Sequence, residues 1–357
     1  MSTARLANLR AELVQRQLEG ALVCKPENRV YLSGFTGSAG WLLVTPEKAY
    51  LVTDFRYVEQ AAAQAPAFEV CKLATTQHPL IAELAGKLGL KQLAFEGDYL
   101  TVDEHTTFAR ALEGVELVPV SGMVEALRMI KDEAEVALMQ KAASITDEAW
   151  TYIQSFIRPG VAERDVALEL EHKMKKLGAE GLAFDIIVAS GVRSSLPHGR
   201  ASEKLIETGD LVTVDFGAQY QGYCADMTRT VMVGEPSEQQ RRLYAIVLEA
   251  QQRGVAACKP GMTGKELDEV CRGYIRENGY TEEFGHGTGH GVGLYIHENP
   301  RLNVRAENDV LKPGMVVTIE PGVYLPGWGG VRIEDMVLVT DTGCRRLSQS
   351  AKELVIL

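Results

Sequence analysis

Four carboxylates and three histidines in the second half of this 357-residue chain have types and spacings that could do metal chemistry. Asp215 closes the run Leu-Val-Thr-Val-Asp, and Glu320 closes Val-Val-Thr-Ile-Glu. Asp215 and Asp226 are symmetric about the Tyr220-Gln221 pair. A two-residue hairpin turn there would set them directly opposite each other, with Cβ atoms only about 4.5–5.5 Å apart. Glu320 and Glu334 are likewise symmetric about Gly327, in a Pro-Gly-Trp-Gly-Gly turn region. Two hairpins thus predict four convergent acids. Left uncompensated, buried carboxylates repel one another and resist ionisation; divalent cations remove that conflict. The competing explanation is surface acids on solvated strands, but the apolar runs leading into Asp215 and Glu320 suit a core.

Three of the seven histidines fall within Gly285-His286-Gly-Thr-Gly-His290-Gly-Val-Gly-Leu-Tyr-Ile-His297. Alternating glycines predict an extended segment lying close to other backbone. In a strand His286 and His290 share a face, whereas His297 needs a bend or bulge to join them. The segment matches neither G-x-G-x-x-G nor H-E-x-x-H, which excludes a dinucleotide loop and a helical zinc-protease site. A serine-nucleophile elbow is absent, and Cys224 reads as a small core residue between strands. His198 stands before the first acid strand, in Leu-Pro-His-Gly.

The elements that must position these groups form a duplicated pattern. Arg158-Pro-Gly-Val begins a helical segment ending near Gly178, and Lys259-Pro-Gly-Met begins another ending near Gly279. Each is followed by a strand closing in a carboxylate and a second strand carrying another. Two related halves facing each other would make one cleft. A further helical pattern runs from Asp132 to Ile157. Before it, strands near 21–24, 40–45, 49–54, 68–73, 92–96 and 116–119 alternate with helical stretches, predicting an α/β domain with a partly parallel sheet. The boundary is expected near residues 120–131, giving domains of 1–125 and 126–357.

Composition narrows the class. The formal charge of −11 argues against nucleic acid as the main partner, because phosphate binding needs a basic footprint. No apolar run approaches the roughly 18 residues needed to span a bilayer. Charged residues interrupt the N-terminal apolar positions, unlike a signal peptide. The six cysteines are scattered without a Cys-x-x-Cys pair and read as reduced. A cytoplasmic address with no membrane partner is expected.

Asp215, Asp226, His290, Glu320 and Glu334, at these spacings, resemble the five metal ligands of the methionine aminopeptidase, aminopeptidase P and prolidase superfamily. The resemblance covers about 132–357, and the preceding domain resembles the creatinase-like N-terminal domain of prolidases and aminopeptidases P. It implies a duplicated α+β pita-bread domain and a site for two divalent ions. Asp215 would bind one ion, His290 and Glu320 the other, and Asp226 and Glu334 both. Such ions activate water and polarise the scissile carbonyl. The resemblance makes Glu320 a proton shuttle as well as a ligand. It makes His198 and His297 groups that hold substrate and stabilise the reacting carbonyl, with His286 a third matching histidine. Arg332 matches an arginine that orients the site through ligand carboxylates. Phe184, Ile296 and His297 match residues lining a proline pocket, Arg301 a basic residue near the free carboxylate of a dipeptide, and Tyr324 is assigned to the same substrate site. An oxygen-rich donor set favours manganese, cobalt or iron over a thiolate-type zinc site, and the resemblance points to manganese or cobalt, with zinc as the alternative.

Methionine aminopeptidases usually lack the N-terminal domain, and creatinase has lost the ligands kept here. The expected activity is therefore hydrolysis of Xaa-Pro bonds, by an Xaa-Pro dipeptidase (prolidase) or, alternatively, an aminopeptidase P acting on longer peptides. A non-catalytic binding protein on the same fold would be expected to lack the ligand set. Resemblance also implies a homodimer.

Overall fold

The computed structural model describes residues 2–357, which divide into two compact units meeting in sequence at Arg128 and Met129. The first unit is built on one mixed sheet. Its strands lie in the order Glu69–Lys72, Ala49–Thr53, Trp41–Val44, Ala21–Val23, Gln92–Glu96, Glu116–Val120. Trp41–Val44 runs antiparallel to both of its neighbours, Ala21–Val23 and Ala49–Thr53, whereas the other neighbouring pairs are parallel. Leu22, Leu43, Val52 and Leu93 of the sheet pack with Ile81, Leu84 and Phe108 of two covering helices. A helix at Pro26–Ser33 was not anticipated from the sequence. It is short, begins with Pro26 in its first turn, has no side-chain cap, and buries Asn28 and Arg29.

The second unit shows the duplication. Helix Glu133–Ile153 starts at a capping box between Asp132 and Glu135 and packs with helix Glu163–Lys176 over the antiparallel pair Leu211–Phe216 and Met227–Met232. In the second half, helices Glu238–Ala257 and Gly264–Glu277 pack over the antiparallel pair Val316–Ile319 and Asp335–Val339. Helices 163–176 and 264–277 are both 14 residues long and occupy equivalent places in their halves. Each half has its own core: Trp150, Leu170, Val212 and Val231 belong to one, Leu243, Leu267, Val317 and Val337 to the other.

The two acid-bearing hairpins behave differently. In the second, Ile319 pairs with Asp335, Gly322 with Arg332 and Leu325 with Gly329. Glu320 and Glu334 are therefore level, as their symmetry about Gly327 predicts. In the first, the register is shifted: Tyr220 pairs with Tyr223, and Asp215 pairs with Thr228 rather than Asp226. The turn is Gln221-Gly222, not Tyr220-Gln221. Both turn residues take positive φ, 46° and 80°, as the hairpin turn whose twist matches its strands requires, and Gly222 meets that demand without a Cβ penalty. The ladder is interrupted at Gly217, where a Cβ would lie 1.8 Å from the Ala225 carbonyl oxygen, and that register position faces Asp226. Among the described residues, no helix is long and apolar enough to cross a membrane.

Candidate metal centre

Strand alternation and the two hairpins deliver all four acids to one cavity of about 510 Å³, and the glycine-rich segment adds the imidazole. Gly289–Gly291 forms a short strand paired with Glu298–Leu302. It fits because its glycines carry no side chains: a Cβ on Gly289 would meet the Thr318 carbonyl oxygen at 2.1 Å, and one on Gly291 the Asn299 oxygen at 2.2 Å. The register slips between His290 and Gly291, the bulge His297 was expected to need, and the His290 and His297 rings lie 4.4 Å apart, edge to face.

Donor atoms of Asp226, His290 and Glu334 lie within 4.8 Å of one another. His290 Nε2 is 3.3 Å from a Glu320 oxygen and 3.6 Å from an Asp226 oxygen. Its Nδ1 is 3.0 Å from the Gly291 carbonyl, which can only accept, so Nδ1 carries the proton and Nε2 presents its lone pair to the acids. Burial pushes the His290 pKa down to about 3, leaving the ring neutral. The carboxylates move the other way. Burial raises Glu320 to about 8, and burial with repulsion from neighbouring acids holds Asp226 and Glu334 well above the usual range.

A set of hydroxyls and cations fixes the acids. Thr228 donates to Glu334 at 2.7 Å, and Thr318 donates to Glu320 at 3.1 Å. Arg332 is buried and donates to Asp215 at 2.7 Å, to the Tyr324 hydroxyl at 2.8 Å and to Thr228 at 3.0 Å. The other Asp215 oxygen is buried with no hydrogen-bond partner. An orphaned carboxylate oxygen, crowded acids that resist ionisation and a neutral imidazole with its lone pair turned inward together fit divalent cations. Asp215, Asp226, His290, Glu320 and Glu334 would hold them. The four carboxylates make the donor set hard and oxygen-rich.

His198, His297, Phe184, Ile296 and Arg301 also line the cavity. His198 and His297 are exposed in it, and Ile296 is buried. Arg301 pairs across the ladder with His290 itself and is exposed. His286 reaches the cavity wall, but Gly287 O and the Tyr324 hydroxyl, each at 2.8 Å, take both its ring nitrogens. Burial lowers its pKa to about 4. Tyr324, expected at the substrate, is buried behind the wall and links Arg332 to His286. The positive edge of Arg332 thus extends through a phenol to an imidazole.

Sequence reasoning missed Thr228 and Thr318, whose hydroxyls aim the glutamates. The signal was partial: Thr318 is a polar residue inside an otherwise apolar strand, two positions before Glu320, and Thr228 lies two positions after Asp226. It also missed the helix Glu238–Ala257, although Ser237 and Gln240 spell a capping box.

Comparison with known proteins identifies the family and the fold. Residues 137–341 match the metallopeptidase family M24, and residues 5–130 match the creatinase/prolidase N-terminal domain. The structure of an Xaa-Pro dipeptidase from Bacillus anthracis matches with a TM-score of 0.98 at 50% identity, over 100% of both chains. The Xaa-Pro dipeptidase of Pyrococcus furiosus is 43% identical over 353 residues, 98% of this chain and 99% of its own length. The structure of an X-Pro aminopeptidase from Thermotoga maritima matches with a TM-score of 0.92 at 38% identity, over 99% of each chain.

Proposed function

We infer that this chain, which belongs to metallopeptidase family M24, is an Xaa-Pro dipeptidase that works with two divalent ions, manganese or cobalt. It is a peptidase with a creatinase/prolidase N-terminal domain and a pita-bread catalytic domain. The observation that carries the dipeptidase reading is Arg301. Its guanidinium stands on the wall of the cavity that holds the five ligand side chains, directly across the ladder from His290, and no ion pair is seen for it among the described residues.

Bound divalent ions supply Lewis acidity and an activated water. The chain's own residues do the rest. Phe184 and Ile296 offer an apolar wall for the proline ring. Arg301 pairs with the free carboxylate next to that ring. His198 and His297, exposed in the cavity, donate hydrogen bonds to the reacting carbonyl as charge develops on its oxygen. Glu320 passes a proton to the departing proline nitrogen.

The likeness to an X-Pro aminopeptidase favours a second reading, cleavage of Xaa-Pro from longer peptides. Initial rates on Xaa-Pro and Xaa-Pro-Yaa peptides with added manganese decide between them. Faster turnover of the dipeptide is expected; faster turnover of the longer peptide would overturn the dipeptidase assignment and leave the metal site standing. We also assign the protein to the cytoplasm, as a homodimer without a nucleic-acid or membrane partner.

A further inference from the structure

Behind the cavity, on the opposite face of the strands that carry Glu320 and Glu334, lies a buried cluster of charge. Arg229 is 1% exposed, and all five of its N–H groups are used. Nε donates to Ala351 O at 3.0 Å, and Nη1 to Thr228 O at 2.9 Å and to the Glu334 backbone carbonyl. Nη2 donates to Asp335 Oδ1 and to Ser350 O, both at 2.8 Å. Asp335, wholly buried, takes Lys352 Nζ at 2.6 Å and Gln251 Nε2 at 3.1 Å on its other oxygen. Lys352 also donates to Gln251 Oε1 at 2.6 Å, and Gln251 reaches the carbonyl of Ile319, the residue before Glu320, at 3.4 Å. The Asp335 carboxylate is therefore linked, through Arg229 to the Glu334 carbonyl and through Gln251 to the Ile319 carbonyl, to the backbone at both glutamates.

Charge pairs of this kind are a poor way to gain stability. Taking the ions out of water costs about as much as their attraction returns, and apolar residues of similar volume often serve as well or better. What the cluster supplies is a fixed direction. Glu334 is held at three points: its N–H donates to Thr228 O at 3.1 Å, its carbonyl accepts from Arg229, and its side chain accepts from Thr228. Partners outside the ligand set that orient ligands in this way typically contribute about 10–100-fold to metal affinity.

We propose that Arg229, Asp335 and Lys352 form a positioning unit that locks the backbone at Glu334 and, through Gln251, at Glu320, so that both carboxylates meet Asp226 and His290 in metal-binding geometry. The proposal rests on the reading of Glu334 as a metal ligand. All three are positioning residues; none lines the cavity.

The test is calorimetric titration of the metal-free protein with Mn²⁺, read together with the visible spectrum of the Co²⁺ form and the thermal midpoint of the metal-free form. Lys352→Met removes the cation and keeps an apolar side chain of similar length. It should weaken Mn²⁺ binding about 10–100-fold and alter the Co²⁺ spectrum, with KM for a dipeptide little changed and kcat reduced. Lys352→Arg should restore binding. Arg229→Lys keeps the charge without spanning five acceptors and should weaken binding similarly; if it does not fold, Lys352→Met alone decides. Glu334→Gln is the control. If it binds Mn²⁺ like the parent, the ligand reading fails, and the positioning role with it. If it loses the metal while folded Lys352→Met stays within about threefold of the parent, the ligand stands and the positioning unit is overturned.

Discussion

Metal uptake should release protons, because the metal-free site stores them. Burial raises the Glu320 carboxyl from an ordinary 4.5 to about 8, so at pH 7 it is mostly protonated. Asp226 and Glu334 are raised as well, by burial and then by neighbouring acids. A coordinating carboxylate must give up its proton. Glu320 should then give up most of a proton per chain at pH 7, and Asp226 and Glu334, raised as well, should add to the release. His290 adds none, since at about 3 its pKa leaves it neutral already. The assay is calorimetric titration with Mn²⁺ in two buffers of different ionisation enthalpy, whose difference gives the proton count. The linkage has a definite sign. A carboxyl whose folded pKa is raised contributes stability that is present below 4.5 and lost as pH rises through about 8. The metal-free protein should therefore lose stability across that window, while the stabilisation given by metal grows. A proton count near zero at pH 7 would refute the account of the acids as a crowded, partly protonated cluster.

Other expectations are simpler to check. Glu320→Gln should lower kcat by at least about a hundredfold, since it removes a proton carrier and weakens a ligand; steady-state kinetics at saturating Mn²⁺ measures it. Arg332→Met breaks the buried pair with Asp215 and strips the Tyr324 hydroxyl of its donor. A loss of about 3–5 kcal/mol is expected in denaturant unfolding of the metal-free protein. Arg301→Ala should reduce kcat/KM on Xaa-Pro roughly ten- to a hundredfold, the worth of one charge-assisted hydrogen bond, and hardly touch Xaa-Pro-Yaa. Light scattering should give about twice the 39.1 kDa chain mass.

How much of this could be read in advance differs from residue to residue. The level placement of Glu320 and Glu334 follows from symmetry about Gly327, and the ladders on both sides keep that register. The same argument fails for Asp215 and Asp226. Symmetry says nothing about which dipeptide can take two positive φ angles, and Gln221-Gly222 outcompetes Tyr220-Gln221. Glycines at 289 and 291 announce close backbone contact, and the contact is there, but the approaching backbone comes from Thr318 and Asn299, 29 and 8 residues away. Arg301 facing His290, Tyr324 bridging Arg332 and His286, and Arg229 behind Glu334 are all tertiary facts. In each case packing supplies the partner, and the local sequence does not name it.

The central claim is that five side chains hold divalent metal for Xaa-Pro hydrolysis. The most direct test is to strip the protein of metal, confirm its absence by elemental analysis, and add Mn²⁺ stepwise while following proline release from an Xaa-Pro dipeptide. No turnover is expected without metal, and then a rise that levels off as the site fills at two ions per chain. Full turnover in the stripped protein, or no proline release at any metal loading, would contradict it.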